Sequence, residues 1–189
     1  MKEIFLNSSY CKSFIPRGRS NFTILRIVCH HLDFAISYNN AGLRQRLLSG
    51  GFRYLEHVTD AYIEAYGDSI EEAFSYAAKG MINVMFEIKN IHGTSKVDLR
   101  VEGADYYELL FSWLEKVHLL ITIDSQVMAN FEIKISKLDS MFQLSGWGMV
   151  ESIDTSKHGY KTEIKGITYH AMEILQQDNQ HKVKFMIDL

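Results

Sequence analysis

Residues 51–85 read GFRYLEHVTDAYIEAYGDSIEEAFSYAAKGMINVM, and the spacing of apolar side chains changes once within them. Phe52 to His57 and Ala61 to Tyr66 are short, aromatic-rich and β-prone, with Asp60 in the turn between them. Gly67-Asp68 closes the second run, so the two read as an opening strand pair. Ser69 with Glu72 three residues later is a capping box, and Ile70, Phe74, Ala77, Met81 and Met85 then recur at helical spacing. A strand pair feeding directly into a core-facing helix predicts a domain that mixes strands and helices.

The pattern continues downstream. Val97, Leu99 and Val101 alternate with Lys96, Asp98, Arg100 and Glu102, the mark of a strand with one wet face, and Gly103 stops it. Asp105 and Glu108 repeat the capping logic ahead of an apolar stripe of Leu109, Leu110, Trp113, Leu114, Val117 and Leu120. Val127, Ala129, Phe131, Ile133 and Ile135 alternate strictly with their polar or flexible neighbours and read as the cleanest strand. Further strands are expected over 141–150, 162–175 and 182–188. Gly146-Trp147-Gly148 has no phosphate-loop lysine and no helix after it, so it reads as a place where strands pass closely. The fold class is therefore α+β: a mixed β-sheet with two amphipathic helices packed on one face.

With 189 residues, 47% apolar and 23% charged, the chain is globular in composition and suits one domain plus a tail. A net charge of −3 argues against broad contact with a phosphate backbone, so any RNA role is expected to be indirect. The charge is uneven. Residues 1–50 carry seven basic and two acidic side chains, about +5, and the rest 13 and 21, about −8. Cys11 and Cys29, the only cysteines, both lie in the tail, which excludes a disulfide framework for the body and points to a reducing compartment. No apolar run reaches the roughly 20 residues that span a bilayer, and the expected location is the cytoplasm.

Residues 1–50 read as an extension outside the domain of residues 51–189. Arg17, Arg19, Arg26, Arg44 and Arg46 among Ser and apolar residues suit an organellar transit segment, a dispensable tail or a start codon assigned upstream of the true one. His30-His31 beside Cys29 lack a second ligand pair at zinc spacing.

Candidate chemistry concentrates in two places. Asp60 is in the first turn, and Asp188 follows Val183, Phe185 and Ile187 on the opposite face of a terminal strand, outside the apolar layer. By residue type alone, Asp60 is a turn-former and Asp188 a solvated carboxylate. As a converging pair of oxygen ligands they suit a hard divalent cation. In IKGITYH, residues 164–170, Lys165, Thr168, Tyr169 and His170 are unusually polar for a strand, so some of them need partners or face a site. The bland alternatives are a core tyrosine and a surface imidazole.

Three strings taken together, the 51–74 run around Asp60, EIKGITYHAMEIL (163–175) and the final Asp188-Leu189, resemble the archease family over about Gly51 to Leu189. The resemblance implies a protein cofactor, not itself an enzyme, for a tRNA-splicing RNA ligase that joins 3′-phosphate or 2′,3′-cyclic phosphate ends to 5′-hydroxyl ends. It implies promotion of that ligase's guanylylation and multiple turnover, RNA contact only through the ligase, and an RNA-modifying methyltransferase as another partner. It implies Asp60 and Asp188 as ligands of a divalent ion (calcium, magnesium or manganese), with Leu189 supplying main-chain oxygen. His57, Lys165, Thr168, Tyr169 and His170 are then expected to line that site or meet the partner. The family's commoner order puts Thr directly after His, whereas this chain reads His57-Val58-Thr59-Asp60. The rival readings are a small metal-dependent phosphoester hydrolase with His170 as general base, and a chaperone or adaptor for RNA-modifying enzymes.

Overall fold

The computed structural model describes residues 50–57, 59–177 and 180–189 in full, and the backbone of three strands before them. The chain divides into two compact units, Met1–Ser49 and Gly50–Leu189. In the first, β1 (Lys12–Phe14), β2 (Phe22–Cys29) and β3 (Leu32–Asn39) form an antiparallel sheet in that order. Cys11, His30, His31, Arg17, Arg19, Arg44 and Arg46 lie outside the described residues.

The second unit opens with β4 (Gly51–Leu55) and β5 (Ala61–Gly67), the expected strand pair, and then α1 (Ile70–Met85). The Ser69 hydroxyl accepts the Glu72 N–H at 3.1 Å, and the Glu72 carboxylate accepts the Asp68 N–H at 2.7 Å. These bonds satisfy donors that the first helical turn leaves without partners. A short 3₁₀ turn (Ile88–Asn90) leads to β6 (Ser95–Gly103), and α2 (Tyr106–Thr122) begins with the same device. There Asp105 accepts the Glu108 N–H at 2.9 Å and Glu108 accepts the Ala104 N–H at 2.7 Å. The chain continues through β7 (Gln126–Leu138), β8 (Met141–Ser152), the single-turn α3 (Thr155–His158), β9 (Gly166–Gln177) and β10 (Gln180–Asp188).

The α+β class is as expected, but the strands divide into two antiparallel sheets where the sequence reading has one mixed sheet. One has the order β4-β5-β10-β9 and the other β6-β8-β7. Alternation tells which face of a strand is wet; it does not tell which strand is its neighbour. Each helix touches both sheets: α1 packs on β5, β10 and β7, and α2 on β6 and β9. Fully buried Phe74, Met81, Trp113, Leu114, Ile63 and Phe185 fill the space between them. The Trp113 indole N–H donates to the Phe74 carbonyl at 3.0 Å, so the largest core side chain joins the two helices with its one polar atom satisfied.

Two strands depart from their patterns. The alternation of β7 slips between Met128 and Asn130, where a bulge buries both Val127 and Met128. The expected strand over 162–175 begins only at Gly166. The residues before it use their polar groups elsewhere: the Lys161 N–H donates to the Met85 carbonyl at 2.8 Å, and the His118 ring holds the Ile164 carbonyl at 2.9 Å. Gly146 and Gly148 do mark a close approach, since a Cβ at Gly146 would overlap the Glu132 carbonyl and one at Gly148 the Met128 sulfur.

Glu151, at the end of β8, is 8% exposed and pairs with the Lys157 ammonium while accepting the His92 N–H at 2.7 Å. The Lys157 bond above all, and then the His92 N–H, hold its carboxyl down at about 2. A carboxyl that is more acidic folded than unfolded stabilises the fold above its unfolded pKa of about 4.3, and that contribution fades as pH falls from there toward 2. Glu151→Gln should therefore lower stability at pH 7 by about 1–2 kcal/mol and flatten the loss between pH 4.3 and 2. Thermal melts of both proteins across that range provide the check.

Candidate functional site

The core pattern of the central strands places the two aspartates. Ile63 and Ala65 of β5 and Val183, Phe185 and Ile187 of β10 are fully buried, so Tyr62, Glu64, Lys184, Met186 and Asp188 stand on the other face. Ile187 pairs with Ala61, and carrying that register one residue further sets Asp60 opposite Asp188. On the other side Asp188 pairs with Gly166, whose missing side chain leaves open space beyond it. Asp188 thus stands on the face away from the core at one end of the four-stranded sheet, and the turn carrying Asp60 flanks the same end. The next row along that face is Leu55, Tyr62, Met186 and Thr168, which brings Thr168 to the same surface.

Asp60 is held by its own turn. The Thr59 hydroxyl donates to Asp60 Oδ2 at 3.0 Å, so the shift of Thr away from His still leaves a hydroxyl on this carboxylate. His57 Nδ1 lies 3.3 Å from the Asp60 N–H and 3.3 Å from Oδ2. The two contacts need opposite proton states. A neutral ring accepts the N–H, and a protonated one pairs with the carboxylate. Asp188 is exposed, and its carboxylate makes no hydrogen bond or ion pair with another described residue.

This donor set fits a hard divalent cation in chemistry: two carboxylates, neither paired with a Lys or Arg among the described residues, and main-chain oxygen at Leu189. Among the described residues no three His, Cys, Asp or Glu side chains come together to hold an ion, so further donors would be main-chain oxygens, water or groups of a bound molecule. Lys165 stands at the edge of this surface. Its N–H donates to the Asp188 carbonyl at 2.9 Å and its ammonium to the Leu189 main-chain oxygen at 2.7 Å.

Tyr169 and His170 are carried away from that row. Between Thr168, opposite Met186, and Glu173, opposite Lys184, β9 has four residues where β10 has only Phe185. The edge strand bulges outward there, and Ala171 adopts φ 55°, a left-handed conformation that side chains disfavour. The Thr168 hydroxyl accepts the His170 N–H at 3.1 Å, and the Tyr62 hydroxyl donates to the Ala171 carbonyl at 3.4 Å. Tyr169 is neither buried nor a core residue: 53% exposed, it stacks on Phe111 of α2 with ring centroids 4.4 Å apart and planes at 7°. Its phenol is pushed above the ordinary tyrosine value, first by the partial loss of its hydration and then by the Glu108, Asp105 and Glu115 carboxylates. His170 is exposed, as a surface imidazole would be. Phe111 and Gly166 were invisible as site residues, because Phe111 lies off the apolar stripe and a glycine at a strand start has no chemistry of its own.

The comparisons with known proteins agree with this architecture. The model of the Archease protein family (MTH1598/TM1083) matches residues 52–189. The chain belongs to the archease family. Curated archeases similar to it include that of Methanopyrus kandleri, 30% identical over 135 residues covering 71% of this chain and 96% of the relative. That of Pyrococcus furiosus is 37% identical over 123 residues, covering 65% and 87%. A solution structure of protein 1598 from Methanobacterium thermoautotrophicum superposes with a TM-score of 0.64 at 31% identity, covering 74% of this chain and 99% of that one. The matched region is the second structural unit, and it contains every site residue named above. No helix among the described residues of this archease-family chain is long and apolar enough to cross a membrane.

The strain at Ala171 is testable without any ligand. Ala171→Gly removes the left-handed penalty and should raise stability by about 0.5–1 kcal/mol, whereas the same change at Ala65, a buried strand position, should lower it. Chemical denaturation of the two variants separates these outcomes.

Proposed function

We propose that this archease-family protein is a non-enzymatic helper of a tRNA-splicing RNA ligase that joins 3′-phosphate or 2′,3′-cyclic phosphate ends to 5′-hydroxyl ends, promoting its guanylylation and repeated turnover. The observation that supports the reading is the Ile187–Ala61 pairing, which brings Asp188 and the turn carrying Asp60 to the same end of the sheet, with no Lys or Arg among the described residues paired to either carboxylate. Membership of the family supports it. The charge balance supports it too: a body of about −8 suits contact with a basic, RNA-binding enzyme better than contact with RNA.

In this reading Asp60, Asp188 and the Leu189 main-chain oxygen hold a calcium, magnesium or manganese ion for delivery to the ligase. When bound, a divalent ion would offset charge on a nucleotide triphosphate under attack. The chain's own residues prepare the ligands. Thr59 and His57 engage one Asp60 oxygen, Oδ2, and the pairing of β10 between β5 and β9 holds Asp188 in place. Thr168 lines the same face, and Tyr169 and His170 present a separate exposed surface for the partner.

The deciding experiment is multiple-turnover RNA joining by the cognate ligase with GTP and a divalent ion, with and without this protein. Asp60→Ala and Asp188→Ala should each abolish stimulation while leaving the fold intact, with a stability change of no more than about 0.5 kcal/mol for exposed Asp188 and about 1 kcal/mol for Asp60, which loses its contacts with Thr59 and His57. Normal stimulation by both variants would remove ion delivery from the reading. Hydrolysis of a phosphate ester by the isolated protein would instead support the metal-dependent hydrolase, and stimulation independent of metal would support an adaptor.

A shortened chain beginning at Gly51 tests the extension. The family match starts at residue 52 and the second unit at Gly50, so this chain should melt and stimulate like the full one. Loss of either property would make residues 1–50 integral.

A further inference from the structure

Lys165 is an exposed lysine whose ammonium rests on the main-chain oxygen of Leu189, the residue after Asp188. Its position does not depend on that bond. Ile164 before it is 1% exposed, with its carbonyl held by His118 of α2, and Gly166 after it pairs with Asp188. The Lys165 N–H separately donates to the Asp188 carbonyl at 2.9 Å. Main-chain bonds therefore hold Asp188 in the sheet whatever side chain residue 165 carries. The ammonium adds a different contribution, a positive charge seated on the main-chain oxygen of the residue after Asp188.

We propose that Lys165 is the resident cation of the Asp60–Asp188 surface, occupying the Leu189 oxygen when no divalent ion is bound and giving it up when one enters. The inference rests on the ion-holding reading above and adds to it what sets the affinity. An ammonium donates to the same hard oxygens that calcium or magnesium would take. The bond is exposed, and exposed charged contacts of this kind contribute little, so an arriving ion displaces it at small cost. While it remains nearby, the ammonium repels a divalent charge. At water-like screening and a separation of several ångströms, this weakens binding by about threefold to tenfold. Such a competitor would keep affinity low enough for an ion to be handed on to a partner.

Calorimetric titration of the full chain with magnesium, calcium or manganese chloride, in the absence of any ligase, tests this. Lys165→Met should bind the ion about threefold to tenfold more tightly than the unaltered protein, and Lys165→Arg, which keeps the charge, should stay within about twofold of it. Circular dichroism confirms that the folds match. Equal or weaker binding by Lys165→Met, with the unaltered protein binding normally, would overturn the competitor role alone and make the ammonium a clamp on Leu189. Binding by Lys165→Met but not by the unaltered protein would support the proposal. If neither protein takes up an ion, the proposal falls together with the ion-holding part of the proposed function.

Discussion

The pairing of β10 between β5 and β9 is the constraint on which the archease-like domain depends. That strand occupies the middle of its sheet, where Val183, Phe185 and Ile187 are fully buried and both neighbours pair with it except where β9 bulges opposite Phe185. Each of those three side chains contributes about 1.5–3 kcal/mol of burial, and the same alternation that turns them inward turns Asp188 outward. Core and candidate site are therefore one arrangement. The sheet cannot close without bringing Asp188 to the end flanked by the Asp60 turn, and a slip of one residue would turn Asp188 toward the core.

The two helices make that sheet part of a domain. Each packs on strands of both sheets, so α1 and α2 together form a shared layer between them. The Trp113 bond to the Phe74 carbonyl ties one helix to the other where both residues are fully buried. From this layer two contacts reach toward the site. His118 holds Ile164 and so places Lys165, while Phe111 stacks on Tyr169 and so fixes the face of the bulge. Neither residue is a candidate ligand, yet both decide where candidate residues stand.

The segment 165–171 shows how one short motif can serve two surfaces. Its first residues pair with β10 beside Asp188; then the ladder breaks, Ala171 turns left-handed, and Tyr169 leaves the sheet for α2. Left-handed backbone in a residue with a side chain costs roughly 1–2 kcal/mol. Strain of this kind persists only where surrounding contacts impose it, here the Phe111 stack and the Tyr62 bond to the Ala171 carbonyl.

The sequence by itself determined the elements and their wet faces. The capping pairs Ser69–Glu72 and Asp105–Glu108 started both helices where they begin, and the alternation in β6 and β10 assigned their inner residues, because these signals are local and written in side-chain type. The strings around Asp60 and Asp188 also carried the family. Tertiary structure alone decided which strands are neighbours, and so split them into two antiparallel sheets. It alone placed the bulges in β7 and β9, the late start of β9 and the seat of Lys165 on Leu189. Each of these depends on a partner distant along the chain: β8 for the slip at Met128, β10 for the four residues opposite Phe185, His118 for the segment before Gly166. Register, bulge and long-range pairing are settled by which surfaces can be buried together, and no short window of sequence contains both sides of that choice.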